Sequence, residues 1–337
     1  MINYMTRRIL LAFLTTLAVS ALAFFIIQLP EGDIVRKYLE QTSCGNEANT
    51  CIPNDEQKAS IEHYFGVDKP MVIRYLIWVK NLAKGDLGVG FRSGEAITPQ
   101  SVKKIIGDRL LMTVLLTGFT VLVTWTFAIP VGIYSAVRQH SIGDYVFTFV
   151  GFTGLAVPDF LLGLVLMYIA FAYLDQSVGG LVSAKYVDQP WDFGKVKDLI
   201  DHLWIPAIVL GTSGTASLIR IMRNNLLDEL RKPYVITARA KGVAPWKLIV
   251  KYPVRVAINP LISTVGYLLP SLVSGSVIVS VVLSLPTLGP VLLFALKVED
   301  VYTGGIIILM TGMLTVIGTL ISDILLAVVD PRIKIAN

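Results

Sequence analysis

Apolar runs long enough to cross a bilayer recur along the whole sequence, and they constrain its fold more than any other feature. They lie at Ile9–Leu29, Leu110–Ala136, Tyr145–Leu174, Leu203–Met222, Leu261–Leu285 and Gly304–Val329, and each meets the length of about 20 residues that a spanning helix needs. In hydrocarbon every backbone N–H and C=O must be paired within the protein, so runs of this length are expected to be helical. A soluble chain of 337 residues would form about two domains, but 54% hydrophobic and 16% charged residues place this one in a membrane. The net charge of +5 would suit a nucleic-acid binder. Its basic residues, however, gather at the ends of apolar runs, which fits positive-inside anchoring and leaves no basic soluble domain to hold a duplex. The reading is an all-α polytopic membrane protein with six transmembrane helices and both termini cytoplasmic.

Residues 1–29 form the cytoplasmic N-terminus and first span. Arg7 and Arg8 precede the run, and Phe24 to Ile27 continue it beyond the Ala21-Leu22-Ala23 that resembles a cleavage site, so it is read as a retained anchor. Residues 30–109 are polar and mixed, and are expected outside, as a segment of short amphipathic helices. Asn54 and Gln57 are spaced as an N-cap and its reciprocal partner for a helix through Ile61, Tyr64 and Phe65 that ends at Gly66. Pro70 opens a second helix carrying Ile73, Leu76 and Ile77, stopped near Gly85. These helices either cap the spans or offer a docking surface. Cys44 and Cys51, the only cysteines, lie in this external region, where a disulfide is favoured over two thiols. Closing that small loop would stabilise it by about 2.5 kcal/mol in the chain-entropy model.

Residues 110–337 form the membrane core. The third run is broken by Gly151, Gly154 and Pro158, and a count of 1.5 Å per residue puts Pro158 and Asp159 about 20 Å into the membrane. A carboxylate at that depth should face protein or water, so Asp159 is a candidate for the substrate path. The alternative is a carboxyl satisfied by backbone groups freed at the Pro158 kink. In the fourth run, Gly211, Thr212, Ser213, Gly214 and Thr215 favour close helix contact over a polar pore lining. The loop from Asp175 to His202 has an acidic excess and is expected outside.

Between the fourth and fifth runs, residues 223–257 form a cytoplasmic loop whose centre, Arg231 to Arg255, is a basic island. Pro233 suits a first helical position, Thr237, Ala238, Arg239, Ala240 and Lys241 permit one short helix, and Gly242 can end it in a left-handed cap. The small side chains of Ala238, Ala240 and Gly242 would let this helix seat its backbone in a groove of another protein. The plainer reading is a loop that only sets topology. No GxxxxGK[ST] phosphate loop is present, His63, His140 and His202 are read as lying on separate loops, and no nucleophile–base–acid set stands out. No catalytic residue, metal site or cofactor is expected on this chain.

At Tyr234-Val235-Ile236-Thr237-Ala238-Arg239-Ala240-Lys241-Gly242 the sequence resembles the cytoplasmic EAA loop of binding-protein-dependent ABC importer permeases, in the oligopeptide/dipeptide branch. The likeness extends through Gly85-Asp86-Leu87-Gly88, Arg92-Ser93-Gly94, Pro158 and Phe160, Pro286-x-Leu288-Gly289 and Asp330-Pro331-Arg332, in order along almost the whole chain. One departure is that Ile236, Thr237 and Ala238 stand where the broad pattern has Glu-Ala-Ala. The resemblance implies a type I ABC importer permease fold in a bacterial or archaeal cytoplasmic membrane. It implies Tyr234, Thr237, Ala238, Arg239, Ala240, Lys241 and Gly242 as the ATPase coupling helix, with Arg239 and Lys241 facing an acidic cleft. The implied partners are a second permease in a heterodimer, two ATP-binding subunits that carry ATP and Mg, and an external solute-binding protein. Lys247, Lys251 and Arg255 are expected to anchor lipid headgroups. The substrate class implied is a short peptide, with oligosaccharide, opine or nickel import by the same machinery as alternatives. An ion-coupled secondary transporter using Asp159 is the rival from another class.

Overall fold

Helices carry most of the apolar runs, although neither as uniformly nor within the limits that hydropathy suggests. The computed structural model describes residues 2–28, 69–92, 98–174, 176, 179–187, 189–274, 277–298 and 300–329. Cys44, Cys51 and the short helix expected near Asn54–Gly66 fall outside them. In chain order the described helices are α1 (Ile2–Gln28), α2 (Met71–Ala83), α3 (Val102–Val137), α4 (Ile142–Ala156), α5 (Asp159–Leu174), α6 (Phe193–Leu230), α7 (Pro233–Ala240), α8 (Pro245–Lys251), α9 (Pro253–Ala257), α10 (Asn259–Ser274), α11 (Val277–Val282), α12 (Leu288–Lys297) and α13 (Val301–Val329). A hairpin of β1 (Val89–Arg92) and β2 (Thr98–Ser101) precedes α3, with Val89 opposite Ser101 and Arg92 opposite Thr98. Among the described residues, five stretches are long and apolar enough to cross a membrane, or six with α4 and α5 taken as one broken span.

Several limits differ from the hydropathy reading. The second span was expected from Leu110, but α3 starts at Val102 and its 36 residues run about 54 Å. The fourth was expected from Leu203, but α6 begins at Phe193, where Asp192 caps it by accepting from the Lys195 N–H at 2.7 Å. His202 is therefore inside a helix, not on a loop. Lys195 is buried near this start, and its ammonium donates to the Gln189 carbonyl at 2.6 Å, which ties the preceding loop to the helix. The described residues of the fifth run lie in α10 and α11, and the stretch Pro245–Gly266, which overlaps α10, is itself of spanning length.

The largest difference is in the third run, where α4 and α5 meet at 105°. Proline has no N–H to give and pushes its predecessor out of the helical region. Val157 accordingly adopts an extended φ −83, ψ 127, and the helix restarts with Leu161 and Leu162 donating to the Pro158 carbonyl. A depth counted along one straight helix therefore does not apply to Asp159.

The described residues divide into two compact units. One lies within Phe13–Met112 and Thr287–Met313. There α2 packs on the second half of α1, with the Phe24 ring 5.5 Å from Tyr75 and 5.6 Å from Trp78, and Ser20 sharing a 2.7 Å hydrogen bond with the Tyr75 hydroxyl. Pro70 stands at the N-cap of α2, and Gly85 takes φ +80 just beyond its end, close to the expected limits. Val102, Ile106, Leu288, Ile306 and Ile307 form the core. Asp300 is buried and caps α13, accepting from the Thr303 N–H at 3.0 Å and from the Phe91 N–H of β1 at 2.7 Å. Gly90 is required at this join, since a Cβ there would stand 2.0 Å from the Thr303 hydroxyl.

The other unit lies within Met1–Ala12, Thr113–Pro286 and Leu314–Asn337. Its axis is α6, against which α4, α5, α9 and α10 all pack. The core joins Ala128 and Ala136 of α3, Leu218, Met222 and Leu226 of α6, Ala257 of α9 and Leu261 of α10. Small residues set the close approaches: a Cβ on Gly132 would lie 2.6 Å from the Met222 Cβ, and one on Gly211 would lie 2.9 Å from the Thr124 hydroxyl. Gly211 thus makes the kind of helix contact its setting suggested. Arg8 pairs with Asp323 at 2.9 Å, which brings the start of α1 to the end of α13.

Candidate functional site

The basic island folds as three short helices set off by prolines. α6 ends at Leu230, and Arg231 and Lys232 turn the chain into α7, whose first residue is Pro233, as its fixed φ favours. The Tyr234 hydroxyl donates to the Glu229 carboxylate, and the Thr237 hydroxyl donates to the Pro233 carbonyl at 2.9 Å. At the far end Gly242 takes φ +73. Its N–H donates to Arg239 at 3.0 Å and that of Val243 donates to Ala238 at 3.3 Å, the paired bonds of a Schellman closure. Pro245 then opens α8, and Pro253 opens α9 after Tyr252.

One face of α7 is spent on its own chain. Val235 and Ala238 are buried with Leu248 of α8, and Val243, Ile249 and Tyr252 pack around them. This corrects the expectation for Ala238: its small side chain admits α8, not a foreign surface. Tyr234, Thr237, Arg239, Ala240, Lys241 and Gly242 remain exposed, as a docking surface requires. Two large apolar side chains not expected at the site are exposed with them, Ile236 at 58% and Trp246 at 71%. Exposed apolar groups of this size in a basic loop are available to a partner or to the membrane interface. The available signal for Trp246 was a tryptophan directly after a helix-opening proline. The expected lipid anchor Arg255 instead donates to the Val329 carbonyl at 3.1 Å, tying the island to the end of α13.

Pro158 and Asp159 sit at the break between α4 and α5, distant in the chain from α7. Asp159 is half-buried, and among the described residues no donor is bonded to its carboxylate. The Leu161 and Leu162 N–H groups at the start of α5 bond to the Pro158 carbonyl and not to the Asp159 carboxylate. Among the described residues no three His, Cys, Asp or Glu side chains converge as a metal site would need.

A second polar feature escaped the sequence reading altogether. Asp144, 2% exposed, receives two parallel bonds from Arg223, Nε to Oδ1 and Nη2 to Oδ2, both at 3.0 Å. It also accepts from the His140 N–H at 3.0 Å, while its own N–H donates to the N-cap Ser141. His140 holds φ +62 to make this turn. The pair borders a cleft between α4 and α6 lined by Phe152, Leu155, Ile219 and Arg220, with the Arg220 guanidinium 4.9 Å above the Phe152 ring.

The family described as binding-protein-dependent transport system inner membrane component matches residues 128–335, and its N-terminal counterpart matches residues 1–117. The chain is 33% identical over 335 residues to the oligopeptide transport system permease protein AppB of Bacillus subtilis, covering 99% of this chain and all of that protein. It is 28% identical over 353 residues to the dipeptide transport system permease protein DppB of Escherichia coli strain K12, covering 99% of each. It is also 29% identical over 349 residues to the di/tripeptide transport system permease protein DppB of Pseudomonas aeruginosa, again covering 99% of each.

Proposed function

This chain belongs to the binding-protein-dependent transport system inner membrane components, and from that membership we propose that it is the permease subunit of an ATP-driven importer that moves short peptides inward. The peptide assignment rests on full-length relatives named for oligopeptide, dipeptide and di/tripeptide transport. The observation that carries the mechanism is α7, a self-closed helix that exposes Ile236 and Arg239, followed by the exposed Lys241 and, on α8, the exposed Trp246.

In this reading residues 223–257 lie in the cytoplasm with both termini, and the exposed face of α7 docks in a cleft of an ATP-binding subunit. Two such subunits hold ATP and Mg and carry out the hydrolysis, a second, different permease chain completes the cavity, and an external solute-binding protein delivers the peptide. Ile236 and Trp246 supply desolvated anchors, while Arg239 and Lys241 supply charge-assisted bonds to acidic residues. Closure of the ATP-binding pair then displaces α7 and, through the short Arg231–Lys232 turn, α6. Residues 30–109 face outward, and the membrane core occupies 110–337. Pro158 and Asp159 line the substrate path. A half-buried carboxylate without a donor there favours a cationic or hydroxyl-rich peptide.

The test is co-reconstitution of this chain with its permease and ATPase neighbours and the solute-binding protein, followed by uptake of labelled di- to hexapeptides. ATP-dependent uptake is expected. Uptake by this chain alone on a proton or sodium gradient would overturn the reading. Within the working complex, Asp159→Asn is expected to change the ranking of peptides by side-chain charge, and an unchanged ranking would remove Asp159 from the path.

A further inference from the structure

The Asp144–Arg223 pair joins residues 79 apart, and both ends are placed to matter. Arg223 stands on α6 two turns before Leu230, from which the chain passes directly into α7. Asp144 stands in the first turn of α4, the arm of the broken span that leads to Val157 and Pro158. The carboxylate does not merely pair with a cation. It also holds the His140 N–H, and Ser141 in turn caps α4 on the Asp144 N–H, so the arginine grips the whole turn from which α4 starts.

Two parallel N–H···O bonds fix direction as well as distance, because the planar guanidinium fork matches the carboxylate only in one orientation. A single contact would let α4 swivel on α6. The fork, in a position where Asp144 is 2% exposed, does not. Further along the same two helices the contact is made by small residues, a Cβ on Gly151 standing 3.5 Å from the Ala216 Cβ and one on Gly154 standing 2.5 Å from the Thr212 Cγ2. Such surfaces pack closely, and the Arg220 guanidinium over the Phe152 ring adds a softer contact between the same helices; the directional, hydrogen-bonded tie of α4 to α6 is the Asp144–Arg223 fork.

We propose that Asp144 and Arg223 are positioning residues that clamp α4 to α6, so that the two move as one body and a displacement of α7 reaches the Pro158–Asp159 break. This inference rests on the importer reading above. It adds a component that reading does not contain: the route by which motion at the cytoplasmic loop reaches the break in the third span.

The experiment uses the full reconstituted complex and reads peptide moved per ATP hydrolysed. Asp144→Asn and Arg223→Gln singly are expected to lower that ratio at least tenfold, and the double variant Asp144→Asn/Arg223→Gln, which leaves no orphaned charge and restores an amide–amide bond, to recover it to within about threefold. Gly151→Cys/Ala216→Cys tests the one-body claim directly, since the 3.5 Å Cβ separation suits a disulfide. The oxidised cross-link is expected to leave transport intact and to rescue Asp144→Asn. A ratio unmoved in both single variants, or transport abolished by the cross-link while ATP hydrolysis continues, overturns the clamp. A wild-type complex that shows no ATP-dependent uptake overturns the importer reading instead, so the two failures are distinguishable.

Discussion

Gly242 separates what the loop after α7 needs from its own backbone from what the proposed docking would need from a partner. The residue holds φ +73, and a Cβ built there meets nothing within 4 Å. Within this chain, then, a side chain at 242 has no steric penalty, and the only internal penalty is conformational. For alanine the left-handed region costs about 1–2 kcal/mol, partly offset by the smaller entropy that alanine loses on folding. The net is about 1 kcal/mol, roughly a fivefold loss in the population with the Schellman bonds closed. Asparagine tolerates the left-handed region and should lose less. If Gly242 mattered only for the turn, coupling should therefore rank glycine and asparagine together above alanine. If the loop seats against an ATPase, the larger asparagine side chain meets the partner and the order becomes glycine, alanine, asparagine, with Gly242→Asp lowest because it also opposes the acidic cleft. The assay is peptide-stimulated ATP hydrolysis in proteoliposomes, normalised to inserted permease. We expect alanine within about fivefold of wild type, as the backbone term alone dictates, and aspartate without stimulation. Wild-type stimulation in Gly242→Asn would refute docking at this position, and a fully active Gly242→Asp would refute the coupling role of α7.

Three further predictions concern stability. His140 occupies φ +62 without being glycine, and its N–H contact to Asp144 is a backbone one, so His140→Gly should stabilise the detergent-solubilised protein by about 1 kcal/mol; a lowered melting temperature would mean the imidazole supplies more than the strain removes. Gly132→Ala places a Cβ 2.6 Å from the Met222 Cβ and 3.2 Å from the Ile219 carbonyl, an overpacking worth about 1–3 kcal/mol, whereas Gly118→Ala, inside α3 with nothing within 4 Å, should raise stability by up to about 1 kcal/mol in the same thermal assay. Burial pushes the Asp300 carboxyl above its ordinary range, the bonds from Thr303, Phe91 and Tyr302 opposing this only in part. A folded-state value raised above the unfolded one contributes stability that is complete below the unfolded value and lost as pH rises through the folded value. Amide-exchange protection at Phe91 and Thr303 should accordingly increase as pH falls from 7 toward 4, after correction for intrinsic rates, and Asp300→Asn should flatten that slope; an unchanged slope would refute the assignment.

Local chemistry made much of this molecule readable. Pro233 and Gly242 bound α7 because their preferences reside in the residues themselves, and the spanning runs stand out because a bilayer imposes their length. What could not be read depends on partners remote in the chain. Pro158 announces a break, but 105° is set by what α4 and α5 pack against, chiefly α6. Ala238 looks available until Leu248 is seen to cover it. The β1–β2 hairpin has four-residue strands, too short for alternation to register, and it is held by Asp300, whose Oδ2 reaches the Phe91 N–H from 209 residues away. Asp144, three residues after a serine, reads as an ordinary helix-start acid, and only the fold supplies Arg223.

The small core beneath α7 has a consequence for assembly kinetics. An isolated eight-residue helix does not persist in water, and ordering one on contact would cost about 1–2 kcal/mol for each residue fixed. Val235, Ala238 and Leu248, with the Schellman bonds at Gly242, offset part of that cost within the permease itself. An ATPase docking as proposed would therefore encounter a preformed shape and forfeit less of its contact energy to folding. Association should behave as the docking of two rigid bodies, with its rate set by charge steering and falling with salt, and the complex should come apart and rejoin without the loop ever melting.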